Sequence, residues 1–241
     1  MTAPAMPHLP VLTAPARPRR RRRWLRWTLA GVAALMILVV GVVIAAIKLQ
    51  PTPAPLALPA TAGPPIGAVD GTYQATSGSV AGFRIQQSVL GLTSDVVGRT
   101  KDITGTVTVA GGRATTTGLR VGLLALTTGD KTPAPQFGIS LDTGRYPDAT
   151  VGLAQPLTLD PALASGATVT VTAAGTLTLH GVTRAVAVAL SLRRDGTGID
   201  VTGTVPVAFA DYGIASPKGY GSLGSLADHG VAEFLLVLHK G

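Results

Sequence analysis

Residues 169–192 read VTVTAAGTLTLHGVTRAVAVALSL. Val169 and Val171 alternate with Thr168, Thr170 and Thr172, and beyond His180-Gly181 the apolar Val186, Val188 and Leu190 alternate with smaller residues. A period of two places the apolar side chains of a strand on one face, so the stretch predicts strands with a tight turn at His180-Gly181. The pattern recurs in Val107 and Val109, in Leu119, Val121 and Leu123, in Ile199, Val201, Gly203, Val205, Val207 and Phe209, and in Phe234, Leu236 and Leu238. Further turn signals stand at Ala110-Gly111-Gly112, Ser165-Gly166 and Asp195-Gly196-Thr197-Gly198. From Gly67 to Gly241 no segment sustains a 3.6-residue apolar period over a dozen positions. The expected class is all-β, an antiparallel sandwich or barrel rather than a βαβ fold. Gly129 to Asp148, with Pro133, Pro135 and Pro147, and Asp211 to Gly230 read as loops.

Upstream the composition changes. The 241 residues carry 20 Lys or Arg against 12 Asp or Glu, a formal charge of +8. That excess lies wholly in residues 1–50, where Arg17, Arg19, Arg20, Arg21, Arg22, Arg23, Arg26 and Lys48 face no acid. Between Arg26 and Lys48 the uncharged run Trp27 to Ile47 would reach roughly 31 Å as a helix, about one hydrocarbon core. The expected organisation is a basic cytoplasmic tail (1–26), a transmembrane helix (27–47), a Pro-rich linker (48–66) and a β-domain (67–241). The arginines before the apolar run orient it, so the protein is expected in the cell membrane as a single-pass anchor, N-terminus inside and β-domain outside. The linker's six prolines in residues 50–66 would make a spacer reaching about 50 Å.

Residues 51–241 are charge-neutral and aromatics make up 4% of the chain, which argues against a nucleic-acid partner. Cysteine is absent, removing disulfides, thiolate metal sites and cysteine nucleophiles. His8, His180, His229 and His239 show no metal-ligand spacing. His180 reads as a turn residue and the neighbours Asp228 and His229 do not make a catalytic dyad. Gly219 to Gly224 match G-x-G-x-x-G but lack the strand, helix and distal acid of a dinucleotide site, so no cofactor is expected. No G-x-S-x-G elbow occurs and Glu233 is the single glutamate, so no catalytic residues are assigned.

Three segments together resemble a known family. Gly175-Thr-Leu-Thr-Leu-His180-Gly-Val-Thr-Arg184 resembles the hairpin signature of the YceI-like, polyisoprenoid-binding family. Arg145-Tyr146-Pro147-Asp148-Ala149-Thr150-Val151 is similar to its "yP" segment, and Phe209-Ala-Asp211-Tyr-Gly213-Ile214 with Val231 to Leu238 to its C-terminal half. The resemblance implies an extended lipocalin-like antiparallel β-barrel whose lumen holds an isoprenoid or similar lipid. The lumen candidates are then Phe83, Ile85, Val107 and Val121, with the other period-two rows and Val186, Val188 and Leu190. Arg99, Lys101, Arg145 and Arg184 are candidates to meet a phosphate head, or else solvated surface charges. The family often pairs, which makes a homodimer a further expected partner with no face identified. Two departures stand out: Gly129 to Gly138 is too rich in Gly and Pro for the helix relatives carry before "yP", and Gly82-Phe83-Arg84-Ile85 occupies a place where many relatives have a His. A packed envelope interaction domain with no lipid remains the alternative, because the same alternation builds a dry core.

Overall fold

A run such as VTVTAAGTL has one oily and one polar face, and it buries the first only by pairing into a sheet that curls around it. The computed structural model describes residues 31–42, 45, 52–116, 118–128, 132–133, 140–215 and 224–241. They fall into two units, 1–51 and 52–241. In the first, residues 31–42 are helical with exposed side chains, and the remainder of the expected 27–47 segment apart from Ala45 lies outside the described residues. No helix among the described residues is long and apolar enough to cross a membrane.

The second unit is all-β. In chain order its strands are β1 (Gly71–Ala75), β2 (Val80–Val89), β3 (Leu92–Thr100), β4 (Ile103–Thr104), β5 (Thr106–Ala110), β6 (Arg113–Thr116), β7 (Leu119–Gly122), β8 (Thr127–Thr128), β9 (Thr132–Pro133), β10 (Asp148–Leu153), β11 (Leu157–Thr158), β12 (Val169–Leu179), β13 (Val182–Asp195), β14 (Gly198–Ala208), β15 (Gly224–Leu226) and β16 (His229–Lys240). They form one antiparallel sheet in the order β11-β6-β5-β1-β16-β14-β13-β12-β10-β7-β4, with β2, β3, β8 and β9 branching from β16 and β15 pairing with β2. β16 pairs with β14 along one edge and on the other with β2 through Val231–Leu235 and with β1 through Leu238–Lys240. The sheet curls strongly: its terminal strand β4 is joined to β5, near the opposite end of the order, through Gly105 alone. The expected barrel is thus observed as a strongly curled antiparallel sheet, a half-barrel.

Hairpin turns set the register. His180 and Gly181 have φ of 51° and 74°, and Leu179 pairs with Val182, so a two-residue loop with both φ positive joins β12 to β13. Gly111-Gly112 does the same between β5 and β6, and Leu90-Gly91 between β2 and β3, a turn the sequence reading missed. Ser165-Gly166 is no hairpin: Gly166 caps a 3-10 turn, Pro161–Ser165, whose start Asp160 caps by accepting from the Ala162 N–H. The long loop readings are refined likewise, since β8, β9 and β15 lie within or beside them and Phe209–Tyr212 is a second 3-10 turn. The expected 129–138 departure and the 219–224 glycine loop fall mostly outside the described residues.

Candidate functional site: an apolar interior

Inward positions of successive strands converge on a core that includes Val109, Leu177, Val188, Leu190, Val201, Val205, Phe234, Leu236 and Leu238, all buried. They do not fill it. A cavity of about 120 Å³ is lined from β2 by Phe83 and Ile85, from β7 by Leu119 and Val121, from β10 by Ala149 and Val151, from β14 by Val205 and Val207, and from β16 by Phe234 and Leu236. Ser140 and Glu233 are the polar residues that border it, and the Glu233 carboxylate is held on the opposite face of the sheet by Arg99 and the Leu56 N–H. A second cavity, about 70 Å³, is lined by Val107, Val188, Leu190, Val201 and Leu238 among others.

Of the lumen candidates, the structure therefore places Phe83, Ile85 and Val121 on the larger cavity and Val107 on the smaller, while Val186 packs against the core beside them. Leu126, Leu141 and Ile214 also line the larger cavity. They stand in loops, where no periodicity announces an inward position. Two of the three phenylalanine rings that line the larger cavity lie over glycines of the next strand: Phe83 pairs with Gly98 and Phe234 with Gly203, and a Cβ on either glycine would collide with the ring. A ring over a cross-strand glycine covers backbone that would otherwise face the void.

The three motif segments meet at one corner. The His180 Nδ1–H donates to the Tyr212 carbonyl at 3.0 Å, and its ring stands edge-on to Tyr146 with centroids 4.8 Å apart. A Cβ on Gly181 would lie 2.5 Å from Tyr146 Cε1, so this glycine is required by its positive φ and by the ring against it. Burial raises the Tyr212 phenol above its ordinary pKa, with Asp211 adding to the shift and Arg184 opposing it. His180 thus fastens the hairpin to the 3-10 turn, the structural role that the sequence suggested.

The outer face holds an arrangement that composition did not foretell. Glu233 on β16 is 3% exposed; it accepts from Arg99 Nη1 and from the Leu56 N–H at 3.0 Å, with Arg84 Nη2 at 3.6 Å. Arg84 also holds Asp95 at 3.0 Å. The same guanidiniums donate to carbonyls of the Pro-rich segment, Arg84 to Pro53 at 2.8 Å and Arg99 to Ala54 at 3.2 Å. Further along, Arg193 donates to Pro59, Arg194 to Ile66 at 2.6 Å and Gly67 at 2.9 Å, and the Gly63 N–H donates to Asp195 at 2.6 Å. Residues 52–67 are therefore no free spacer but a strap tied to the sheet. The reason is chemical: a proline-rich extended segment makes no internal hydrogen bonds and is rich in unpaired carbonyls, for which arginine is a matched donor.

This changes the standing of the headgroup candidates. Arg99 is engaged by Glu233 and the strap. Arg145 lies 5.2 Å from the Tyr146 ring centroid, and Arg184 Nε donates to the Asp211 backbone carbonyl at 3.0 Å. Two of the four are cross-strand from residues that line the larger cavity: Arg184 from Leu177, on the same row of β13 as Val186 and Val188, and Arg99 from Gly82. Lys101 is exposed. Among the described residues no group of three or more His, Asp or Glu could hold a metal. The Asp228–His229 pair at 2.8 Å is exposed.

Comparison with known proteins agrees with the geometry. A structure described as a polyisoprenoid binding domain from Saccharophagus degradans, implicated in plant cell wall breakdown, is similar over 71% of this chain and 99% of its own, with 22% identity and a TM-score of 0.55. The crystal structure of Burkholderia cenocepacia BcnA is similar over 68% of this chain and 98% of its own, with 18% identity and a TM-score of 0.44. No curated protein sequence matches. The model of the YceI-like domain matches residues 73–233, from the first strand to the last, and the chain belongs to the YceI-like domain family.

Proposed function

We propose that the domain binds a lipid with an isoprenoid-like tail inside the curled sheet, without covalent chemistry, and that residues 27–47 anchor it in the cell membrane with the domain outside. The ligand reading rests on the interior: an apolar cavity of about 120 Å³ in a family member whose structural relative is described as polyisoprenoid-binding. An apolar cavity of ~150 Å³ stays dry and takes up benzene, so a space of this size suits hydrocarbon better than water. At about 0.8 kcal/mol per buried CH2, each five-carbon unit contributes about 4 kcal/mol before the cost of association. The anchor reading is supported by the uncharged run between Arg26 and Lys48 and the basic residues before it.

The test is direct. The full chain is purified, extracted with organic solvent and searched for lipid by mass spectrometry, and prenyl alcohols are added in thermal melts. Recovery of a lipid and a rise in Tm are expected; neither, in a folded protein, leaves an envelope interaction domain as the better description. Membrane fractionation and N-terminal sequencing test the anchor, which fails if the mature chain begins beyond residue 47 and is recovered in the soluble fraction.

A further inference from the structure

The two cavities lie end to end. On β16 the larger is lined by Gly230 to Phe234 and by Leu236, and the smaller by Phe234, Leu236 and Leu238; on β10 the larger takes Ala149 and Val151 and the smaller Val151 to Leu153; on β14 the larger takes Val205 and Val207 and the smaller Val201. Along each strand one lining continues into the next. Four side chains belong to both: Leu119, Val151, Phe234 and Leu236. β16 and β10 are separated in the sheet by β14, β13 and β12, so these residues come from opposite walls and form a waist. Phe234 supplies the only ring in it, and that ring rests over Gly203, where any side chain would displace it into the lumen.

We propose that Phe234, with Val151 from the opposite wall, sets the length of apolar chain that the interior accepts by closing the passage between the two cavities. This rests on the lipid-binding reading above. The larger cavity takes the end of the tail, and the smaller is space that a longer tail reaches only past the ring. Removing the ring joins about 120 Å³ to about 70 Å³ and adds the volume of the ring itself. A branched chain one or two isoprene units longer then finds apolar surroundings for carbons that would otherwise stay in water.

The experiment compares geraniol, farnesol and geranylgeraniol as ligands of the full chain and of Phe234→Ala, Val151→Ala and Gly203→Ala variants, by thermal shift and competition, with circular dichroism as the folding control. The unaltered chain is expected to favour the shorter alcohols. Phe234→Ala should move the affinity ratio towards geranylgeraniol by about tenfold or more, as expected for newly buried CH2 groups, and Val151→Ala should move it the same way by less. Gly203→Ala should move it towards geraniol. An unchanged ranking in the folded Phe234→Ala and Val151→Ala proteins overturns the waist and leaves the lipid reading standing. If Phe234→Ala does not fold, the half-buried Val151→Ala decides alone. If no alcohol stabilises the unaltered chain, the lipid reading falls, and the selector with it.

Discussion

Replacing Glu233 by Gln removes one charge with almost no change of shape, and so isolates the ion cluster that ties the strap to the sheet. Three groups lose their anionic partner: Arg99, Arg84 at 3.6 Å and the Leu56 N–H at 3.0 Å. Breaking a buried pair costs about 3–5 kcal/mol, but the two arginines are 17% and 19% exposed and Arg84 keeps Asp95, so water and that carboxylate recover part. The glutamine oxygen also keeps one neutral acceptor, about 1 kcal/mol. The expected loss is about 2–3 kcal/mol, or about 4–12 °C in Tm for a domain of this size. Both tryptophans, Trp24 and Trp27, precede the β-domain, so far-UV circular dichroism rather than fluorescence is the probe for denaturant unfolding. Limited proteolysis should show faster cleavage within residues 52–67. A cycle with Arg99→Ala should return a coupling of about 1 kcal/mol or more. A Glu233→Gln protein within about 0.5 kcal/mol of the parent, with the strap cut no faster, refutes the clamp.

Other variants probe the remaining claims. Gly181→Ala meets the Tyr146 ring and a φ of 74°, and should cost about 1–3 kcal/mol in denaturant melts; a neutral result refutes the packing of that corner. His180→Gly keeps the turn and loses the bond to Tyr212, so stability should fall by about 0.5–1.5 kcal/mol while any lipid binding persists; abolished binding in a folded protein would refute a purely structural histidine. Asp200 is 2% exposed with no partner for Oδ2, and burial raises its pKa, Asp195 adding and Arg193 opposing. The fold therefore holds that proton more tightly than the unfolded chain does. Asp200 favours folding below the ordinary carboxylate range and opposes it as pH rises through the raised pKa. Asp200→Asn should stabilise at pH 7 by about 1 kcal/mol and hardly at all near pH 3; equal Tm changes at both would refute this.

The long strands were legible because β12, β13, and most of β14 and β16 turn one face to the core and the other outward, and a period of two survives in Val169 to Leu192, in Ile199 to Phe209 and in Phe234 to Leu238. His180-Gly181 was legible as a turn because glycine there permits a positive φ. Leu90 was not: a leucine at φ 52° carries no turn signal. Leu126, Leu141 and Ile214 reach the cavity from loops, so no local pattern marks them. The clamp was hidden for a different reason. Arg84, Arg99 and Glu233 come together only through the pairing of β2 with β3 and β16, and proline content tells that a segment is extended without telling what it lies against.

The position of β16 has a consequence for how the chain comes to be folded. Tyr73 pairs with Lys240 and Ala81 with Phe234, so although β1 has β5 and β2 has β3 on one edge, the other edge of each waits for the last dozen residues. The β12–β13 hairpin, closed by two residues, is free to form early, but the sheet cannot curl shut until the C-terminus is available. Such high contact order makes folding slow. A chain still emerging from a ribosome or a translocation channel is held open by its own topology, and loss of even the final strand would leave β1, β2 and β14 with bare edges and the interior without a wall.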